Sequence, residues 1–98
     1  MKIKFEWDSK KAALNFKKHG IGFETAARAF LDPHALTRQD RFENGEYRWQ
    51  TIALINGHLL LLVALTIRDA DGFEIIRIIS AREADKKERK RYEQNCSL

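Results

Sequence analysis

Apolar and polar positions alternate at the start of the chain, where Ile3, Phe5 and Trp7 are separated by Lys4 and Glu6. A period of two predicts a short opening strand with one buried face. The period then lengthens. Asp8 suits a helix N-cap and Gly20 suits the left-handed residue that closes a helix; between them Ala12, Ala13, Phe16 and His19 mark a narrow inward face over residues 9–19. Phe23, Ala26, Ala27, Phe30 and Leu31 follow the i, i+3, i+4, i+7, i+8 stripe of a second helix, which Asp32 and Pro33 end. Residues 34–46 are polar and turn-rich, with a short strand expected only at 35–38.

From residue 47 the period returns to two. Strands are predicted over residues 47–55, 58–68 and 73–80, joined by Asn56-Gly57 and by Asp69-Ala70-Asp71-Gly72. Asn-Gly is a strong hairpin signal because both central residues of a type I′ turn need positive φ. Ser80-Ala81-Arg82-Glu83 matches the capping-box pattern, so a last helix is expected from 81 to about 93. Its inward stripe is Ala81, Ala84, Glu88 and Tyr92, and residues 94–98 are expected to fray. The sum is a single α+β domain over residues 1–98: an antiparallel sheet with N-terminal helices and a C-terminal helix.

The hairpins imply a register. With Asn56-Gly57 as a two-residue turn, Ile55 faces His58, Trp49 faces Ala64 and Tyr47 faces Thr66. A four-residue loop at 69–72 then sets Ala64 opposite Arg77, with Thr66 diagonal to it; a two-residue loop keeps the same faces, and only an odd shift such as a bulge flips them. Ile52, Leu54, Leu61, Val63, Leu65, Ile76 and Ile78 are thereby expected against the helices, with Trp49, Thr66, Arg68 and Arg77 on the other side. Arg77 interrupts the run Ile75-Ile76-Arg77-Ile78-Ile79. A guanidinium inside a strand needs a carboxylate, a carbonyl cluster or a phosphate, and Glu46 and Glu88 are the protein groups considered for an ion pair. Arg48 falls at the edge of the core face, where Glu74 would pair it.

Composition narrows the function classes. The single cysteine, Cys96, forms no internal disulfide and has no cysteine partner for a structural zinc site, so no metal or other cofactor is expected and a reducing cytoplasmic setting is the default. The longest apolar run, 59–65, is far short of a membrane span, and residues 1–8 lack the apolar stretch of a signal peptide. The formal charge of +4 is unevenly placed: residues 1–20 hold six lysines against Glu6 and Asp8, and residues 82–98 hold six cations against four acids. The two ends of the chain are therefore the basic elements.

Phe5-Glu6-Trp7-Asp8, Asn15 with Lys18-His19-Gly20, Phe23-Glu24, Asp32-Pro33, Glu46-Tyr47-Arg48-Trp49, Arg77-Ile78-Ile79-Ser80-Ala81-Arg82, Glu88-Arg89 and Tyr92-Glu93 occur in an order and spacing that resembles the BrnT toxins over about residues 4–93. The resemblance implies a compact RelE-like fold and a bacterial toxin of a type II toxin-antitoxin pair that cleaves RNA and arrests translation. It further implies a BrnA-type ribbon-helix-helix antitoxin, a heterotetramer of two toxins and two antitoxins, contact with operator DNA only through the antitoxin, and RNA substrate that is free or on the ribosome.

Metal-independent RNA cleavage by 2′-hydroxyl attack needs a base, an acid and cations around the phosphorane. Arg77, Arg68 and Arg82 are the candidate phosphate clamp, since guanidinium binds phosphate bidentately and keeps its charge. His19 has the most suitable intrinsic pKa for proton transfer, and capping the first helix is its structural alternative. Thr66, Arg48, Tyr92, Glu46 and Trp49 are the candidate substrate contacts, with packing of the last helix the alternative for Tyr92. The competing function is a catalytically inactive toxin-like protein that acts only within an autoregulatory complex with its antitoxin.

Overall fold

The computed structural model describes residues 2–96. Its elements are β1 (Lys2–Glu6), α1 (Ser9–His19), α2 (Phe23–Ala27), a 3₁₀ turn (Arg28–Leu31), β2 (Leu36–Glu43), β3 (Glu46–Ile55), β4 (Leu59–Ala70), β5 (Phe73–Glu83) and α3 (Lys86–Cys96). The strands form one sheet in the order β1-β5-β4-β3-β2, antiparallel except for the parallel pairing of β1 with β5. The architecture is α+β with three helices.

Local chemistry fixes α1 as its sequence implies. Asp8 Oδ1 accepts the backbone N–H of Lys10 at 2.8 Å and of Lys11 at 3.1 Å, and Gly20 closes the helix at φ 73°. Asn15 then joins the helix to the sheet. Its Nδ2 donates to the carbonyls of Ile21 and Ala81, and its Oδ1 accepts the Ala81 N–H, so a buried amide has three partners. The second helix is shorter than its stripe suggested, because the backbone tightens to 3₁₀ at Arg28 before Asp32. The polar segment after Pro33 is an eight-residue edge strand, not a loop with a short strand, and its long pairing with β3 holds it in place.

Register departs from the sequence expectation in two places. At Asn56-Gly57 both residues have positive φ, but His58 stays outside the ladder, so Ile55 pairs with Leu59 and Trp49 with Leu65. This one-residue slip reverses every face in β3. Trp49, Ala53 and Ile55 therefore join Leu61, Val63, Leu65, Ile76 and Ile78 in the core beneath α1 and α2, while Ile52 and Leu54 lie on the opposite side with Leu60, Leu62 and Tyr92 of α3. At the second hairpin Asp71 and Gly72 make a two-residue turn, which sets Thr66 directly opposite Arg77.

The second departure is a bulge. Leu65 pairs with Ile78 but Ala64 pairs with Ser80, leaving Ile79 as the extra residue. Beyond it β5 continues to Glu83, through the segment expected to begin the last helix. The capping box belongs to Asp85 instead: the Asp85 N–H donates to Glu88 Oε1 at 2.9 Å and the Glu88 N–H to Asp85 Oδ1 at 2.8 Å. α3 remains helical through Cys96, so residues 94–96 of the expected tail belong to it, while residues 97–98 lie outside the described residues.

Candidate active site

The sheet has one half-covered face. Leu60 and Leu62 of β4 meet α3, and the even-numbered residues beyond them, Ala64, Thr66 and Arg68, continue along the same face past its reach. Neighbouring strands add Glu46 and Arg48 from β3, Arg77 from β5 and Glu6 from β1, whose Cα is the register partner of Arg77. The register slip in β3 matters here. It carries Arg48 from its expected place on the core face to the side of Arg77, and it carries Trp49 away to the helix-covered side.

Two ion pairs cross the cluster, Arg77 with Glu46 and Arg68 with Glu6. Glu46, not Glu88, is thus the carboxylate that partners Arg77. The hydrogen bond from Arg68 holds the Glu6 carboxyl below its ordinary value against the opposing effect of burial, and the charges of Arg68 and Arg77 add to it. Arg48 differs from both. Its Nε is shut off from solvent and has no hydrogen-bond partner among the described residues. Thr66, only 6% exposed, lies beside it opposite Arg77.

A recess of about 330 Å³ opens on this cluster, lined by Asp8, Lys11, Asn44, Glu46, Arg48 and Arg77, with Ile78 and Ile79. Asp8 and Lys11 enter because β1 ends beside Arg77 and α1 starts there; Asn44 comes from the β2–β3 turn. Asp8 was legible as an N-cap, but nothing in the sequence linked Lys11 or Asn44 to Arg77. A second depression of about 300 Å³, near Asp32, Leu54 and Asn56, contains none of the candidate residues.

The other candidates are elsewhere. α1 starts at the recess and runs away from it for 11 residues, about 16 Å of rise, so His19 is exposed at its far end. Arg82 shares the open face but is held by Glu88 in a two-point pair, Nη1 to Oε1 at 2.8 Å and Nη2 to Oε2 at 2.9 Å. Tyr92 anchors α3, donating its hydroxyl to Asp32 Oδ2 at 2.6 Å. Arg68 borders the cluster without lining the recess. Among the described residues, no group of three or more His, Cys, Asp or Glu side chains is placed to hold a metal ion, and no helix is long and apolar enough to cross a membrane.

Fold and site together define a small α+β protein with a cation-rich recess at the uncovered end of its sheet. Residues 7–88 match the family model described as the ribonuclease toxin, BrnT, of type II toxin-antitoxin systems, and the chain belongs to that family. Among solved structures the chain is similar to the Brucella abortus ribonuclease toxin BrnT, with a TM-score of 0.61 and 22% identity over 88% of this chain and 100% of that one. Comparison with curated proteins finds no match. Membership of a type II toxin-antitoxin family implies an antitoxin partner.

Proposed function

We propose that this chain is a metal-independent endoribonuclease that cleaves RNA by attack of a 2′-hydroxyl on the adjacent phosphate and thereby inhibits translation. The observation that carries this reading is the recess that Arg48 and Arg77 line together. Phosphodiester oxygens meet the Arg48 guanidinium where it lines the recess, and the Arg77 guanidinium when Glu46 yields it. Thr66 supports this seat from β4, and Arg68 extends the cationic surface along the strand. The fold is read as RelE-like and the setting as the bacterial cytoplasm.

The antitoxin is proposed to be a BrnA-type ribbon-helix-helix protein that neutralises the toxin in a two-plus-two complex and brings it to operator DNA. One observation favours the second reading, an inactive toxin-like binding protein: both Arg68 and Arg77 are already paired with carboxylates. Purified protein, free of antitoxin, separates the two. Cleavage of RNA that persists in a chelator and is lost in Arg77→Ala supports the ribonuclease. Growth arrest on expression without any cleavage supports the inactive binding protein.

A further inference from the structure

Resting on the ribonuclease reading, we infer that Glu46 is the general base and Lys11 the general acid of this site. The assignment follows from which groups in the recess can move a proton. Six polar residues line it: Asp8, Lys11, Asn44, Glu46, Arg48 and Arg77. Arginines keep their proton in proteins and Asn44 does not titrate, so Asp8, Glu46 and Lys11 remain. His19 is at the other end of α1.

Asp8 and Glu46 are not equivalent. Asp8 Oδ1 holds the first turn of α1 through two backbone N–H groups, so its carboxylate is committed to the helix. Glu46 is held by Arg77. A phosphate that captures the guanidinium competes with that pair and releases the Glu46 carboxylate beside the bound nucleotide. Substrate binding and exposure of the base are thereby one event. Lys11, exposed on the first turn of α1, brings an ammonium into the recess and is the proton donor that remains once the arginines and Asn44 are set aside.

The step balances on these groups. Glu46 takes the proton of the 2′-hydroxyl while the 2′-oxygen forms its bond to phosphorus. The bond from phosphorus to the 5′-oxygen breaks, and Lys11 gives that oxygen its proton. The products are a 2′,3′-cyclic phosphate and a 5′-hydroxyl, and solvent returns the proton from Glu46 to Lys11.

Two RNA substrates test the assignment, one with the natural 5′-oxygen and one with sulfur at that bridging position, whose thiolate leaves without a proton. Lys11→Ala is expected to slow cleavage of the oxygen substrate by about 100-fold or more while cutting the sulfur substrate close to the wild-type rate. Glu46→Gln is expected to slow both by about 100-fold or more, yet to bind a 2′-O-methyl RNA at least as tightly as the wild type because Arg77 is released. Equal slowing of both substrates in Lys11→Ala overturns the acid, and parallel loss of binding and cleavage in Glu46→Gln overturns the base. Wild-type rates in both variants overturn the assignment and leave the ribonuclease reading standing. A wild-type protein that cuts neither substrate overturns that reading and the assignment with it.

Discussion

The Tyr92 hydroxyl, on the last helix, donates to Asp32 Oδ2 at 2.6 Å, and the same oxygen accepts the Leu54 N–H at 2.8 Å. One carboxylate thereby ties α3 to the end of the second helical segment and to β3. Its other oxygen takes the His34 N–H at 2.9 Å, so Asp32 organises three elements. Burial works against the Asp32 charge, but these three hydrogen bonds outweigh it and hold the carboxyl below its ordinary value.

Tyr92→Phe keeps the ring's packing and removes one charge-assisted hydrogen bond, which is expected to cost about 1.5–3 kcal/mol. It also changes the alkaline limb of stability. Burial pushes the Tyr92 hydroxyl up from its ordinary value of 10.0, and the bond to Asp32 adds to the shift. The folded state thus favours the protonated phenol, so the contribution is complete below pH 10 and is lost progressively as pH rises from there through the higher folded value. The gap between the urea midpoints of the wild type and Tyr92→Phe should be narrower at pH 11 than at pH 8. A gap that stays constant would remove Tyr92 as the cause.

At the acid end the corresponding group is Glu88, which is only 6% exposed. Burial raises its carboxyl, but the Arg82 fork and the Asp85 N–H reverse that effect and leave it below its ordinary value of 4.5. A depressed folded pKa means the stability is present above the unfolded value and is lost as pH falls through the folded one. The melting temperature should therefore drop below about pH 4.5. Glu88→Gln should show a shallower drop from a lower neutral-pH start. Arg82→Ala should also lower stability, since it leaves the mostly buried Glu88 carboxylate without its ion pair.

How much of this was legible in the sequence depended on whether a signal was local. Asp8 and Gly20 bracket α1 by their own chemistry, and both ends came out where those residues put them. The β3 faces came out reversed, because Asn56-Gly57 fixes a turn but not whether His58 enters the ladder. The Ile79 bulge left no mark that periodicity detects in an almost uniformly apolar strand, so Ser80 and Glu83 imitated a capping box that Asp85 and Glu88 form. Arg77 was readable as a candidate because a charge among isoleucines violates the local pattern. Lys11 was not, because one lysine in a lysine-rich helix violates nothing; it reaches Arg77 only through the parallel pairing of β1 with β5.

Asn15 offers a test of the joint that sets α1 against the sheet. Asn15→Leu removes all three hydrogen bonds and strands the Ala81 N–H and carbonyl in the core. Each group left unsatisfied costs about 1–3 kcal/mol. For a domain of this size 1 kcal/mol corresponds to roughly 4–8 °C in melting temperature, so a loss of ten degrees or more is expected by calorimetry. Asn15→Asp should recover part of it, because Oδ1 still accepts from Ala81. If Asn15→Leu melts with the wild type, the amide does not carry the joint.

The two arginines of the recess should respond differently when RNA binding is titrated against salt. Among the described residues Arg48 has no ion pair to give up when it meets a phosphate, whereas Arg77 must exchange Glu46 for it. Arg48→Ala therefore forfeits a contact with no compensating release, expected to weaken binding of a non-cleavable RNA by about 1.5–3 kcal/mol, or roughly 10-fold to 150-fold. Arg77→Ala removes a cation but also leaves Glu46 unpaired and facing the nucleic acid, which adds repulsion to the lost contact. Each variant should flatten the slope of log K against log salt by about 0.7, the single-strand value for one phosphate neutralised. The free carboxylate sets them apart. Adding Glu46→Gln to Arg77→Ala should restore part of the affinity, while adding it to Arg48→Ala should raise affinity only by freeing Arg77. If Arg48→Ala binds RNA like the wild type with an unchanged slope, Arg48 is not the phosphate's partner and the recess is not the RNA site.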